Sequence, residues 1–373
     1  MKTFIISTII LLISALTFPA QINDNAGNVV SFKVSKGGKL NATLMSGNIN
    51  ILTWNKDEVT VRMENIDRDE AAPYSINQSG NTINIKSSIG INRNNADIQI
   101  TVPTEFNIYI KTYQGNVKLL SSLKGSFQAS IGGGNISLED VNGYVNIKTS
   151  GGNISTANIL GDADISTSGG NITTSNISGK GDIKTMGGNI ILKDVGKDAN
   201  VKTSGGDISI RNIGGNVDAK TFGGSIDILK VSGNASLKTS GGDIKLNGVS
   251  DYIDAETKGG DIQLHNVYGS VNAETLSGDI IVELKSAGNK PSRISTLNGS
   301  IKLYVDPNLK TTVSAKAIGG GDGESLIKSD FSPITVNKHP NGEDNVYKIN
   351  GGGVYINLSA INSGIEIKKL KKY

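Results

Sequence analysis

A strict 18-residue register constrains this chain more than any other feature. Gly134, Gly152, Gly170, Gly188, Gly206, Gly224, Gly242, Gly260 and Gly278 follow one another at that step without a slip. The residue after each is Asn135, Asn153, Asn171, Asn189, Asp207, Ser225, Asp243, Asp261 and Asp279. An unbroken isoleucine column comes next, from Ile136 through Ile154, Ile172 and so on to Ile280, and a threonine column runs from Thr149 to Thr275 at the same step. Stacked coils produce such a register, because each residue then lies above its own equivalent and every equivalent position meets the same packing demand.

One period predicts the path of a coil. Between Asn135 and Gly152, apolar residues fall at Ile136 and Leu138, then Val141, then Val145 and Ile147, with Thr149 in phase. Steps of two are strand steps, with side chains alternating inward and outward. The step of three across Glu139 and Asp140 predicts a corner, and the Gly151-Gly152 pair a second one, where glycine accepts positive φ or a close approach of neighbouring coils. Each coil then reads as a short strand, a corner, a longer strand and a glycine turn. The inward columns trade volume: Val145, Ala163, Gly181, Ala199, Val217, Ala235, Ile253, Val271 in one, and Ile147, Ile165, Ile183, Val201, Ala219, Leu237, Ala255, Ala273 in the next. Small residues and an aromatic content of 5% suit a thin interior at close packing. The threonine hydroxyls are expected where the strand enters the glycine turn, pointing inward or outward.

Three 18-residue solenoids compete. A left-handed hexapeptide helix needs an apolar residue every six, but stepping from Ile136 reaches Asn142 and Lys148. A calcium-binding nonapeptide roll needs a Gly pair every nine and a G-x-D that this repeat lacks. Elimination leaves an all-β, right-handed parallel β-helix (β-solenoid) with 18-residue coils and irregular terminal caps. About fifteen coils at roughly 4.8 Å predict a rod of about 70 Å.

The expected organisation is a signal peptide over 1–20, an N-terminal cap with irregular strands over 21–104, the regular solenoid over 105–305, and C-terminal coils, cap and basic tail over 306–373. Lys2 followed by an apolar run over 4–18 has the form of a signal peptide, with cleavage after Ala20, and is short for a membrane span. No cysteine follows it, so lipid attachment there is excluded, and no later segment is apolar enough to cross a bilayer. The protein is therefore expected to be exported, to the periplasm, the cell surface or the medium, with no integral membrane segment after cleavage. Export permits disulfides, yet the chain has none to form, with Cys 0. A net charge of +3 offers no electrostatic footprint for nucleic acid. The basic end, Lys368 to Tyr373, reads as a solvated tail.

The sequence resembles the bacterial "putative adhesin" β-solenoid family of unknown function. The resemblance is carried by Ser46-Gly47-Asn48-Ile49-Asn50-Ile51 with Trp54 and Val59-Thr60-Val61, by the Gly-Gly-Asn/Asp-Ile coils, by Leu297-Asn298-Gly299-Ser300-Ile301 leading to Pro307, and by Gly352-Gly353-Val354-Tyr355-Ile356 with Gly364-Ile365-Glu366-Ile367. It covers roughly residues 29–368. It implies a β-solenoid and brings no catalytic signature.

An enzyme is not expected. His265 and His339 are the two histidines, without triad partners, and there is no H-E-x-x-H, P-loop or nucleophile elbow. A polysaccharide-cleaving β-helix would need insertions carrying Asp, Arg or Lys. The coils from 134 to 278 have none, and arginine is scattered at 62, 68, 93, 211 and 293. No catalytic, cofactor-binding or metal-ligating residue is assigned, and no cofactor. Two polar columns are singled out. Asp243, Asp261 and Asp279 stack in successive coils and pose the question of a cation, but Asn fills the same place in four coils, as a turn-former would. Lys184, Lys202, Lys220 and Lys238 form a basic stripe beside Asp182, Asn200, Asp218 and Ser236, switching sign at Glu256 and Glu274. Pairing across coils is expected, and a grip on an acidic glycan is the functional reading. The function expected is an adhesin-like, non-catalytic binding or surface-presentation module whose partner is unknown, with glycans or surface polymers as the class in view. The alternative is a structural or regulatory cell-envelope protein.

Overall fold

The computed structural model describes residues 21–22, 29–64, 74–87, 97–319 and 325–371, so the signal-peptide reading of 1–20 lies outside the described residues. All regular structure in it is β-strand, gathered in two long sheets. Each regular coil gives one strand to each sheet. Sheet 1 takes Ile136–Asn142, Ile154–Ile159, Ile172–Ile177 and their successors, and sheet 2 takes Val145–Thr149, Ala163–Thr167, Gly181–Lys184 and theirs. Neighbours pair parallel at the sequence step: Ile136 with Ile154, Ile154 with Ile172, Val145 with Ala163, Ala163 with Gly181. The expected parallel β-solenoid is the fold.

The core is the space between the sheets. The isoleucine column and both volume-trading columns are buried throughout. Gly181 shows how a column balances itself: a methyl there would lie 3.5 Å from Ile177 Cδ1 and 3.8 Å from Val195 Cγ2, so larger neighbours already fill the gap. Among the described residues the buried aromatic rings are Phe32, Phe106, Phe127 and Tyr347, none of them in the strict 18-residue register from Gly134 to Gly278.

The corners differ from expectation in two ways. The strand that begins at Ile136 runs through the Glu139-Asp140 step to Asn142, and the break falls at Gly143-Tyr144. The longer strand is thus the first of the coil. Asp140, with φ 54°, only bends it, and Asn158, Asn176 and Asn266 do the same in other coils. These short polar side chains tolerate the left-handed region. At the glycine turn, positive φ occurs at Gly47, Gly115 and Gly134, but not from Gly152 to Gly278. There the reason for glycine is contact: a Cβ on Gly206 would collide with the backbone carbonyl of Gly188, and one on Gly224 with that of Gly206.

At both ends the chain order and the spatial order part company. Gly38–Ser46 and Asn48–Trp54 pair in parallel with Phe106–Gln114 and Val117–Leu119, so this level abuts the repeat directly. Thr82–Ser87 and Asp97–Pro103 come later in the chain but lie outside it, paired in parallel with Lys39–Thr43 and Asn48–Trp54. The C-terminal end mirrors this. Val354–Ile361 and Ile365–Lys369 insert between the level of Ser292–Asn298 and Ile301–Val305 and that of Thr311–Ile318 and Ile327–Ser329. The basic end is therefore in part a strand: Lys368 and Lys369 pair with Tyr304 and Val305, because Ile365 and Ile367 are core residues that carry them in.

Antiparallel strands then cover the outermost levels: Tyr74–Ser79 and Glu58–Glu64 with Val29–Lys33 at one end, Gly342–Ile349 and Thr335–His339 at the other. Such covers limit edge-to-edge growth of a stack. Thr335–His339 is exposed at every residue and is bracketed by Pro333 and Pro340, with Lys338 on it, as expected of a guarded edge.

Candidate functional site

The glycine turn is a small hydrogen-bonding machine. The threonine hydroxyls point inward. Thr203 Oγ1 donates to Gly188 O at 2.8 Å, Thr221 to Gly206 O at 2.9 Å and Thr239 to Gly224 O at 2.7 Å. The Asx column beside it is a ladder of side chain to backbone. Asn153 Oδ1 accepts from the Asn171 backbone N–H at 2.8 Å, Asn189 Oδ1 from Asp207 N–H at 2.8 Å and Asp261 Oδ1 from Asp279 N–H at 2.8 Å. Asn, Asp and Ser serve alike because each supplies an acceptor oxygen, and this accounts for Asp243, Asp261 and Asp279 without an ion. A further ladder stands at the bend, where Asn158 Nδ2 donates to Asp140 Oδ1 at 2.7 Å and Asn176 Nδ2 to Asn158 Oδ1 at 2.8 Å.

The basic stripe lies on the outer face of sheet 2, and its ammonium groups are engaged. Lys184 Nζ is 2.7 Å from Asp182 Oδ2, Lys220 Nζ 3.1 Å from Asp218 Oδ1, and Lys238 Nζ 2.8 Å from Glu256 Oε2. Lys202 reaches Asp218 more loosely, at 3.8 Å. The hydrogen bond to Glu256, helped by Asp254, holds the Lys238 pKa above its ordinary value. Exposed pairs of this kind contribute about 0–1 kcal/mol each, but they neutralise the stripe. His265 lies on the outer face of sheet 1 at the bend, 3.3 Å from Glu283, and His339 on the C-terminal cover, 3.2 Å from Asp344. Among the described residues no three or more His, Cys, Asp and Glu gather as a metal site would need.

Sheet 2 also carries a groove of about 480 Å³, parallel to the rod axis. One wall is the turn column Tyr144, Asp162, Lys180, Asp198 and Asn216; the other is Asp164, Asp182, Asn200 and Asp218. Its floor is backbone, since Ala163, Gly181, Ala199 and Val217 point inward. Much of the polar lining is already used. Asp162 Oδ1 accepts from Lys180 N–H at 2.8 Å, and Asp198 Oδ1 from Asn216 N–H at 2.9 Å. That backbone bond, with Lys180 Nζ at 3.7 Å, lowers the Asp198 pKa. Asn200 Nδ2 donates to Asp182 Oδ1 at 3.0 Å, whereas Asn200 Oδ1 has no partner among the described residues. No hydrogen bond or ion pair engages Asp164 among those residues. The repeat columns contain every one of these residues. Nothing in them marks a groove, which comes from how the two columns stand apart across the turn.

These features define a class, the two-sheet parallel β-solenoid with coverings at both ends. Within the chain, residues 193–351 match the Toastrack family, DUF4097. Similar solved structures include a "putative adhesin" from Bacteroides fragilis, 14% identical over 92% of this chain and 96% of that one, with a TM-score of 0.24. Another is a "putative cell adhesion protein" from Clostridium sporogenes, 12% identical over 92% and 99%, with a TM-score of 0.20. No curated protein matches the chain. The family match agrees with the resemblance read from the sequence. No helix among the described residues is long and apolar enough to cross a membrane.

Proposed function

We propose that the protein is an exported, adhesin-like β-solenoid that binds or presents through its long faces and catalyses no reaction. The observation that carries this reading is the uninterrupted parallel register from Ile136 to Val271, in which outward positions repeat at one coil spacing along each sheet. Repeated shallow contacts suit a polymer or a surface, since each adds to the next through effective concentration. A cleaving β-helix would instead gather its carboxylates on insertions, and these coils run from turn to turn without any. The partner class is a glycan or another surface polymer.

Protease shaving of intact source cells, with a periplasmic marker as control, tests this. Digestion of the protein while the marker survives is the expected result. Protection until the outer envelope is breached would overturn the adhesin reading and point to envelope scaffolding.

A further inference from the structure

The sheet 2 groove leaves some of its polar groups unused. Its cations are spent: Lys180 on Asp198, Lys184 on Asp182, Lys220 on Asp218. An acidic polymer therefore finds no free positive charge there, and the unpaired carboxylate of Asp164 repels it. What the groove still offers is acceptors, at Asp164 and at the second oxygen of Asp162, together with one exposed ring. Tyr144, 43% exposed, stands at the end of the turn column.

The shape is equally selective. The lining comes from five successive levels, at Tyr144, Asp162, Lys180, Asp198 and Asn216. That run spans about 19 Å at the strand spacing of about 4.8 Å, the length of about four sugar rings in an extended chain. The floor is bare backbone, so a ring can lie close to it. Acceptors along both walls, an aromatic face at one end and no uncompensated cation together ask for a ligand rich in hydroxyl donors, neutral and extended.

We propose that this groove binds a neutral polysaccharide chain laid along the rod axis, with Tyr144 stacking on a ring at one end and Asp162 and Asp164 accepting hydroxyl hydrogen bonds. The proposal rests on the adhesin-like reading above and names its ligand class and site. It departs from the acidic-glycan reading of the lysine stripe, because those lysines are paired.

The test is affinity electrophoresis of the full chain in gels containing hydroxyethylcellulose, xyloglucan, galactomannan or dextran, with polygalacturonate and polylysine as the charged comparators. Retardation by at least one neutral polymer and by neither charged one is expected. Tyr144→Ala and Asp164→Ala should each weaken that binding about tenfold, the range of a contact at the centre of a site. Lys245→Ala, on sheet 1, should leave it unchanged. All three side chains point outward, and melting curves confirm that the variants fold. No retardation in any of the four neutral gels overturns the proposal, as does polylysine binding best, or neutral binding that both groove variants retain. If the protein still attaches to whole cells or their wall polymers after the groove variants are made, only the groove assignment falls. Protection in the shaving experiment instead removes the adhesin reading.

Discussion

The middle of this molecule and its two ends solve the same packing problem by different means. In the middle, each coil stacks on its chain neighbour, and a glycine, a threonine and an Asn, Asp or Ser repeat the same kinds of bond from level to level. At each end, one level is threaded out of chain order and antiparallel strands lie over it. The difference teaches what a stack requires. Identical levels add by nearest-neighbour contact, but a terminal level has one neighbour and would peel first. Threading a later or earlier segment beneath it ties the last level to the body through the chain on both sides.

That comparison breaks most sharply if the tie is cut. Ending the chain after Asn350 removes Val354–Ile361 and Ile365–Lys369 from inside the stack, not from its tip. Ile356, Leu358, Ile365 and Ile367 are fully buried there, at roughly 1.5–3 kcal/mol apiece. The expected outcome is loss of the whole C-terminal end, read as early proteolysis from about residue 292 and a lower, broadened melt. A truncated protein that melts like the parent would show that the threaded level carries no special load.

The next test is confined to the middle. Gly206→Ala places a methyl against the Gly188 carbonyl, backbone on backbone, and should cost about 3 kcal/mol or more in urea melts. Gly181→Ala meets only ordinary contacts and no positive φ, so it should stabilise by about 0.5 kcal/mol. Equal effects at the two glycines would sink the close-approach account of the turn. Thr203→Val keeps the shape but deletes the donor to Gly188 O, and a loss of about 1–2 kcal/mol is expected.

The smallest effects are in pH, and they separate the two regions. Burial raises the pKa of Tyr347 at the C-terminal end above 10.0. The fold favours its neutral form, so its contribution is complete below the ordinary value and is lost as pH climbs through the raised one. Tyrosinate absorbance should show this ring ionising together with opening of that end. In the middle, Asp198 is held below 3.8 by the Asn216 N–H and by Lys180. Its contribution is present above that value and is lost as pH falls through the lowered one, and solvent exposure keeps it small. Replacing Asp198 with Asn, which can keep the acceptor oxygen, should remove that acid-side dependence from the melting curve while leaving the neutral-pH melt nearly unchanged.

Much of the middle was legible because periodicity and packing say the same thing there. Ile136, Ile154 and Ile172 must be equivalent, since only stacked equivalents explain their spacing, and parallel pairing at that step follows. The bend was misplaced as a strand break because Asp140 and Asn158 look like turn residues. A single left-handed residue bends a strand without ending its ladder. The inward turn of the threonines was open for a similar reason: alternation places Thr149 in phase with Ile147, but only the nearby Gly134 carbonyl makes burying its hydroxyl tolerable. The pairing of the lysine stripe was readable from the neighbouring Asp column. The groove was not, because it depends on the distance between two columns across a turn.

By itself, then, the sequence determined the coil: its length, its inward columns, its polar turns and the parallel register of its strands. These are consequences of local alternation and of equivalence between levels. Only the tertiary structure decided the order of levels at the ends and the unspent acceptors of the groove. A strand such as Ile365–Lys369 has the same alternation whichever level it joins. Its place is settled by long-range pairing with Ile301–Val305 on one side and Ile327–Ser329 on the other, which no local pattern records.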